Sequence, residues 1–99
     1  MAAARFHREG DRPWIVLFDS IHHVLAAERI LKERGFRHDL VPVPKELSSD
    51  CGMAVEIRAA DGDEVLELLD GPGGRWRSVH RRTRGGWTDV ASREKDGNG

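Results

Sequence analysis

Trp14-Ile15-Val16-Leu17-Phe18-Asp19-Ser20-Ile21-His22-His23-Val24-Leu25-Ala26-Ala27-Glu28-Arg29-Ile30-Leu31-Lys32-Glu33-Arg34-Gly35 is the stretch that decides the fold. Its first five residues are apolar without a break, the pattern of a central strand covered on at least one face. Asp19 and Ser20 follow, and both are good helix N-cap residues. Ile21, Val24, Ala27 and Leu31 then recur at three- and four-residue intervals, which predicts one buried helix face. Lys32 and Arg34 suit the last turn of that helix, and Gly35 suits the C′ position just past its end.

Reading outward, Asp39-Leu40-Val41 predicts a second strand, halted by Pro42-Val43-Pro44. Proline cannot donate to a sheet ladder, so this strand belongs at an edge. Residues 45–52 form a polar loop. Met53-Ala54-Val55-Glu56-Ile57 predicts a third strand. Ala60-Asp61-Gly62-Asp63 turns the chain into a second helix, with Val65, Leu66, Leu68 and Leu69 on its buried side, and Gly71-Pro72-Gly73-Gly74 ends it. Residues 75–82 predict a fourth strand anchored by Trp76 and Val79. This order predicts an α+β, ferredoxin-like βαββαβ sandwich: a four-stranded antiparallel sheet in the order 4-1-3-2, with both helices on one face. Residues 1–12 and 83–99 carry too little apolar material to offset their ordering entropy and are expected to be disordered tails, which leaves 13–82 as the folded unit.

Composition narrows the function. The 99 residues are 38% hydrophobic and 33% charged, with a formal net charge of −1. The apolar run from Trp14 to Phe18 falls far short of the ~20 residues of a membrane-spanning helix. The start Met1-Ala2-Ala3-Ala4-Arg5 lacks the apolar segment of a signal peptide. A single cysteine cannot form an internal disulfide, which makes a reducing, cytoplasmic setting the expectation. Near-neutral charge argues against nonspecific nucleic-acid binding. In a domain of this size a deep, enclosed active site is hard to build.

The predicted topology brings one set of reactive residues together. Strands one and three are antiparallel neighbours, so the end of strand one lies beside the start of strand three. Ser20, His22 and His23 stand at the first place and Cys51 and Gly52 at the second. A thiolate is stabilised by the free N–H groups of a helix start and by a protonated imidazole. Gly52 permits close backbone approach or a positive φ. Ser48 and Ser49 offer hydroxyl donors to the same anion. An exposed thiol of this kind suits handing a group to another protein. The competing reading is a cysteine that is a small buried hydrophobe without a role, although Asp50 and Gly52 are unusual neighbours for one.

The remaining candidates have plainer readings. His22 and His23 point about 100° apart on a helix, His23 toward the edge of the apolar face and His22 toward solvent. A zinc site normally needs four ligands at recognisable spacing. His7, His38 and His80 are scattered and complete no such pattern, so no metal and no cofactor are expected. Glu28 reads as a rim carboxylate beside Lys32 at the favourable i,i+4 spacing, with orientation of a histidine as the alternative. Residues 52–74 hold six acids against one base, Arg58; Arg75, Arg77, Arg81, Arg82 and Arg84 follow without an acid. These arginines read best as cations guarding an edge strand, then as a docking patch for an acidic protein. An RNA surface fits less well, because such sheets use aromatics on their central strands and Met53-Ala54-Val55-Glu56-Ile57 has none.

The stretch Phe18 to Lys32, followed by Leu40-Val41-Pro42-Val43-Pro44-Lys45-Glu46-Leu47-Ser48-Ser49-Asp50-Cys51-Gly52-Met53-Ala54, resembles the selenium/sulfur carrier protein-like family over Trp14 to Asp70. The paired serines and Cys51-Gly52 after Pro42-Val43-Pro44 are the most specific part. The resemblance implies that Cys51 carries sulfur or selenium as a persulfide or selenopersulfide. It implies that His23 is the family's helix-start histidine and that Ser48 and Ser49 are its serines, while Asp50 departs from the usual serine and sets an anion beside the thiol. It further implies a donor protein, such as a cysteine desulfurase, and an acceptor protein. The rival class is a non-catalytic interaction or regulatory module in which Cys51 is incidental.

Overall fold

The computed structural model describes residues 12–47, 51–71 and 73–93. Its elements in chain order are β1 (Trp14–Phe18), α1 (Ile21–Glu33), β2 (His38–Pro42), β3 (Met53–Ile57), a single 3-10 turn (Ala59–Asp61), α2 (Gly62–Leu69), β4 (Trp76–Thr83) and β5 (Gly86–Ser92). The strands form one antiparallel sheet in the order β2-β3-β1-β4-β5.

The α+β class and the antiparallel sheet agree with the expectation, but the sheet has five strands rather than four. The first four take the anticipated relative order, and the fifth lies in the segment expected to be a disordered tail. Its origin is a tight hairpin: Thr83 pairs with Gly86 across Arg84 and Gly85. Trp87 then packs partly buried against the sheet and supplies the apolar surface that the tail was thought to lack. β4 is therefore an interior strand, and its arginines do not guard an edge; β5 and β2 are the edges.

Alternation along the strands divides the core in two. On one face Val16, Phe18, Val55, Ile57, Trp76 and Val79 meet Val24, Ala27 and Leu31 of α1 and Val65 and Leu69 of α2. Both helices thus cover the same side. On the other face Ile15, Leu17 and Ala54 are buried beneath Val41, Val43, Leu47 and Trp87, with the β2–β3 connection folded over part of the sheet. Covering on both sides explains why β1 could be apolar at every position.

The helix ends follow their sequence signals. Ser20 caps α1 in extended conformation, its Oγ accepting the His23 N–H at 3.3 Å. At the other end the Gly35 N–H donates to Lys32 O at 3.2 Å and the Phe36 N–H to Leu31 O at 3.0 Å. Gly35 sits at φ 78°, the left-handed geometry that closes this paired C-terminal motif. One expectation about α1 is corrected. Ile21 is 42% exposed and the buried stripe begins at Val24, four residues after the cap at Ser20.

Candidate functional site

The site is assembled where the β1–α1 junction meets the start of β3. Leu17 pairs with Ala54 across the antiparallel β1–β3 ladder. The segment leaving β1 through Asp19 and Ser20 therefore runs beside the one entering β3 through Cys51 and Gly52, as the topology required. The β2–β3 connection closes at its base, where the Val43 N–H donates to Gly52 O at 3.1 Å. Gly52 adopts φ 83°, the left-handed conformation that favours glycine. Cys51 is thus the loop residue immediately outside the closing hydrogen bond.

Cys51 is half-buried and packs against the helix-side cluster that contains Phe18 and Val24. It is neither sealed in the core nor fully projecting. Its setting combines an apolar wall with access to solvent.

The two histidines separate as their 100° offset demands. His22 is exposed and lines a shallow groove with Leu25, Ala26, Arg29, Ile30 and Gly73. His23 is half-buried. Its ring Nδ1 is shielded from solvent and has no hydrogen-bond partner among the described residues. A shielded, unpaired ring nitrogen costs about 1–3 kcal/mol, so this imidazole sits in the first turn of α1 with unused hydrogen-bonding capacity. Ser20 works as the helix cap, its hydroxyl oxygen already engaged by the His23 N–H. Ser48, Ser49 and Asp50 lie outside the described residues, and no group of metal-ligating side chains gathers among those described.

Two other histidines, read in the sequence as scattered, have carboxylate partners. Glu28 Oε2 lies 3.4 Å from His38 Nε2, and the His38 Nδ1 lies 2.9 Å from Phe36 O. Glu28 thus remains a partly exposed carboxylate at the rim and also approaches His38 between α1 and β2. His80, on β4, lies between Ser78 and Asp89. No signal within β4 alone could have found this pairing, because Asp89 reaches His80 only through β5.

The arginine-rich segment is partly spent on structure. Arg77 pairs with Asp19 at 3.3 Å, and Arg82 stacks 5.0 Å from the Trp87 ring centroid. Arg93 lies 4.3 Å from the Trp76 centroid and also pairs with Asp70, which accepts the Trp76 Nε1–H at 3.2 Å. These contacts bind β4 and β5 to the ends of β1 and α2.

Comparison with known proteins yields one match. The model of the family described as "Putative Se/S carrier protein-like" matches residues 13–81, which extends through most of β4 and beyond the Asp70 limit of the sequence resemblance. No curated protein and no solved structure matches the chain. With the match spanning more than half of its 99 residues, from the start of β1 to the arginines of β4, the chain belongs to the Se/S carrier protein-like family.

Proposed function

We propose that this protein holds sulfur or selenium on Cys51, as a persulfide or selenopersulfide, and passes it to an acceptor protein. The observation that carries the reading is the half-buried Cys51 at the mouth of β3, against the core cluster containing Val24 of the first helical turn. Membership of a family named for selenium and sulfur carriage supports it. Loading requires a thiolate. The Cys51 sulfur attacks the terminal sulfur of a donor persulfide, the donor S–S bond breaks, and the donor leaves as a thiol after taking up a proton. Delivery repeats the exchange with an acceptor thiolate attacking the carried atom. Neither step changes the overall redox balance.

His23 is the group proposed to hold or relay the proton, its Nδ1 being unpaired among the described residues. Gly52 shapes the approach to the thiol through its positive φ, and Ser48, Ser49, Ser20 and His22 are proposed to border the anion. The donor is a persulfide-generating protein such as a cysteine desulfurase, or its selenium-delivering counterpart, and the setting is the cytoplasm. Among the described residues no helix is long and apolar enough to cross a membrane. No cofactor takes part.

A second reading, an interaction module with an incidental cysteine, is favoured by Ile21 and Leu25, which stand 42% and 47% exposed on α1 beside the groove at His22. Iodoacetamide separates the two. The carrier reading predicts alkylation of Cys51 at neutral pH faster than free cysteine, slowed in His23→Ala. An alkylation rate at or below that of free cysteine, unchanged in His23→Ala, supports the module.

A further inference from the structure

On the sheet face opposite the helices, three polar side chains form a continuous chain of hydrogen bonds. Ser78 Oγ lies 2.9 Å from His80 Nε2, and His80 Nδ1 lies 2.9 Å from Asp89 Oδ1. The protons in this chain are set by chemistry. An ionised carboxylate only accepts, so the neutral imidazole carries its hydrogen on Nδ1 and donates it to Asp89. Nε2 is then an acceptor, and the Ser78 hydroxyl must donate to it. In that neutral form the serine proton is directed at a base whose other nitrogen is held by a carboxylate, the connectivity of nucleophile, general base and orienting group.

The surrounding strands build this arrangement. Ser78 and His80 are two apart on β4 and share a face. Asp89 stands opposite His80 only because of an irregularity in β5: Val79 pairs with Ala91, while His80 pairs with Asp89 and skips Val90. Regular pairing would have set Val90 opposite His80; the bulge displaces Val90, which is 38% exposed, and aims the carboxylate at the ring. Across β1, Ile15 pairs with His80 and Leu17 with Ser78, and both are buried. With Ala54 they form a small buried cluster covered by Val41, Val43, Leu47 and Trp87, which fixes the β4 backbone beneath Ser78 and His80. The His80 side chain is 13% exposed and the Asp89 side chain 85%. The family match covers Ser78 and His80 but ends before Asp89, so it does not include the complete constellation.

We propose that Ser78 is the nucleophile of a second, acyl-transfer site, with His80 as general base and Asp89 as the positioning carboxylate, acting on activated esters or thioesters. The Ser78 Oγ forms a bond to the carbonyl carbon while its proton passes to His80 Nε2. The bond from that carbon to the leaving alkoxide or thiolate breaks, and the imidazolium returns the proton to the leaving group. Water then releases the acyl group by the same route, giving its proton to Nε2.

The test uses the full chain and a short-chain alkyl fluorophosphonate, in which the serine oxygen displaces fluoride and remains as a stable adduct. The expected result is one adduct, mapped to Ser78 by peptide mass spectrometry and absent in Ser78→Ala. A general base contributes about 10²–10⁴-fold, so His80→Gln should slow labelling at least ~100-fold. Asp89 is 85% exposed, so solvent competes for its hold on the ring, and Asp89→Asn should slow labelling less than His80→Gln does. Asp89 lies outside the core, so this variant keeps the test available if His80→Gln unfolds. No adduct, an adduct on another residue, or Ser78 labelling unchanged in both His80→Gln and Asp89→Asn would overturn the proposal.

Discussion

Alanine at Gly62 would set a methyl group 2.3 Å from Cζ3, 2.5 Å from Cε3 and 2.6 Å from Cη2 of Trp14. Carbon atoms in contact stand about 3.5–4.0 Å apart, so either the indole or the start of α2 must withdraw by ~1 Å or more. Gly62 is buried at the first position of α2, with φ −54° and ψ −52°, a helical geometry that any residue adopts. Alanine therefore has a backbone advantage of about 0.4–1 kcal/mol, while overpacking a filled site costs about 1–3 kcal/mol. The clash outweighs the backbone term, and Gly62→Ala should lower stability by about 1–2 kcal/mol, or Tm by about 5–15 °C for a domain of this size. Thermal unfolding followed by circular dichroism measures it. The same substitution in a Trp14→Ala background meets no ring and should change sign, becoming neutral or stabilising. Gly62→Ala unfolding at or above the wild-type temperature, or an equal loss in both backgrounds, would refute the claim that indole contact sets the seating of α2 on β1.

Further expectations concern the helix cap and the fifth strand. Ser20→Ala removes the acceptor of the His23 N–H and should cost about 0.5–1 kcal/mol, read as a lower denaturant midpoint with an unchanged m-value. A chain ending at Arg84 loses Trp87, Ala91 and the Arg93–Trp76 stack; it should be about 2–3 kcal/mol less stable, and equal stability in urea would contradict the placement of β5 in the folded unit.

Much of the fold could be read from residue order because local signals agreed with the tertiary outcome. The unbroken apolar run of β1 meant burial on two sides, Ser20 and Gly35 bounded α1, and Pro42 and Pro44 kept β2 at an edge. β5 was not legible, since Gly85 and Gly86 among scattered charges look like a tail. The missed cue was that Arg84-Gly85 can join two strands as a two-residue turn, with Trp87 as the anchor of the second. That omission carried further errors: it made β4 an edge strand, gave its arginines a guarding role, and hid Asp89 from His80. Ile21 was misjudged because periodicity identifies the apolar face of a helix but not which turns of that face the sheet covers. At the site, the approach of Cys51 to the β1–α1 junction followed from antiparallel pairing alone. The half-burial of Cys51 and the His23 Nδ1 without a partner among the described residues depend on side-chain packing that spacing does not encode.

The central claim is that Cys51 carries the chalcogen, and intact-mass spectrometry tests it most directly. The protein is incubated with a low-molecular-weight persulfide, or with selenide and a mild oxidant, and desalted without reductant. The account predicts a single addition of about 32 Da for sulfur or about 79 Da for selenium, reversed by dithiothreitol and absent in Cys51→Ala. An unmodified wild-type mass, or an equal addition in Cys51→Ala, would contradict it.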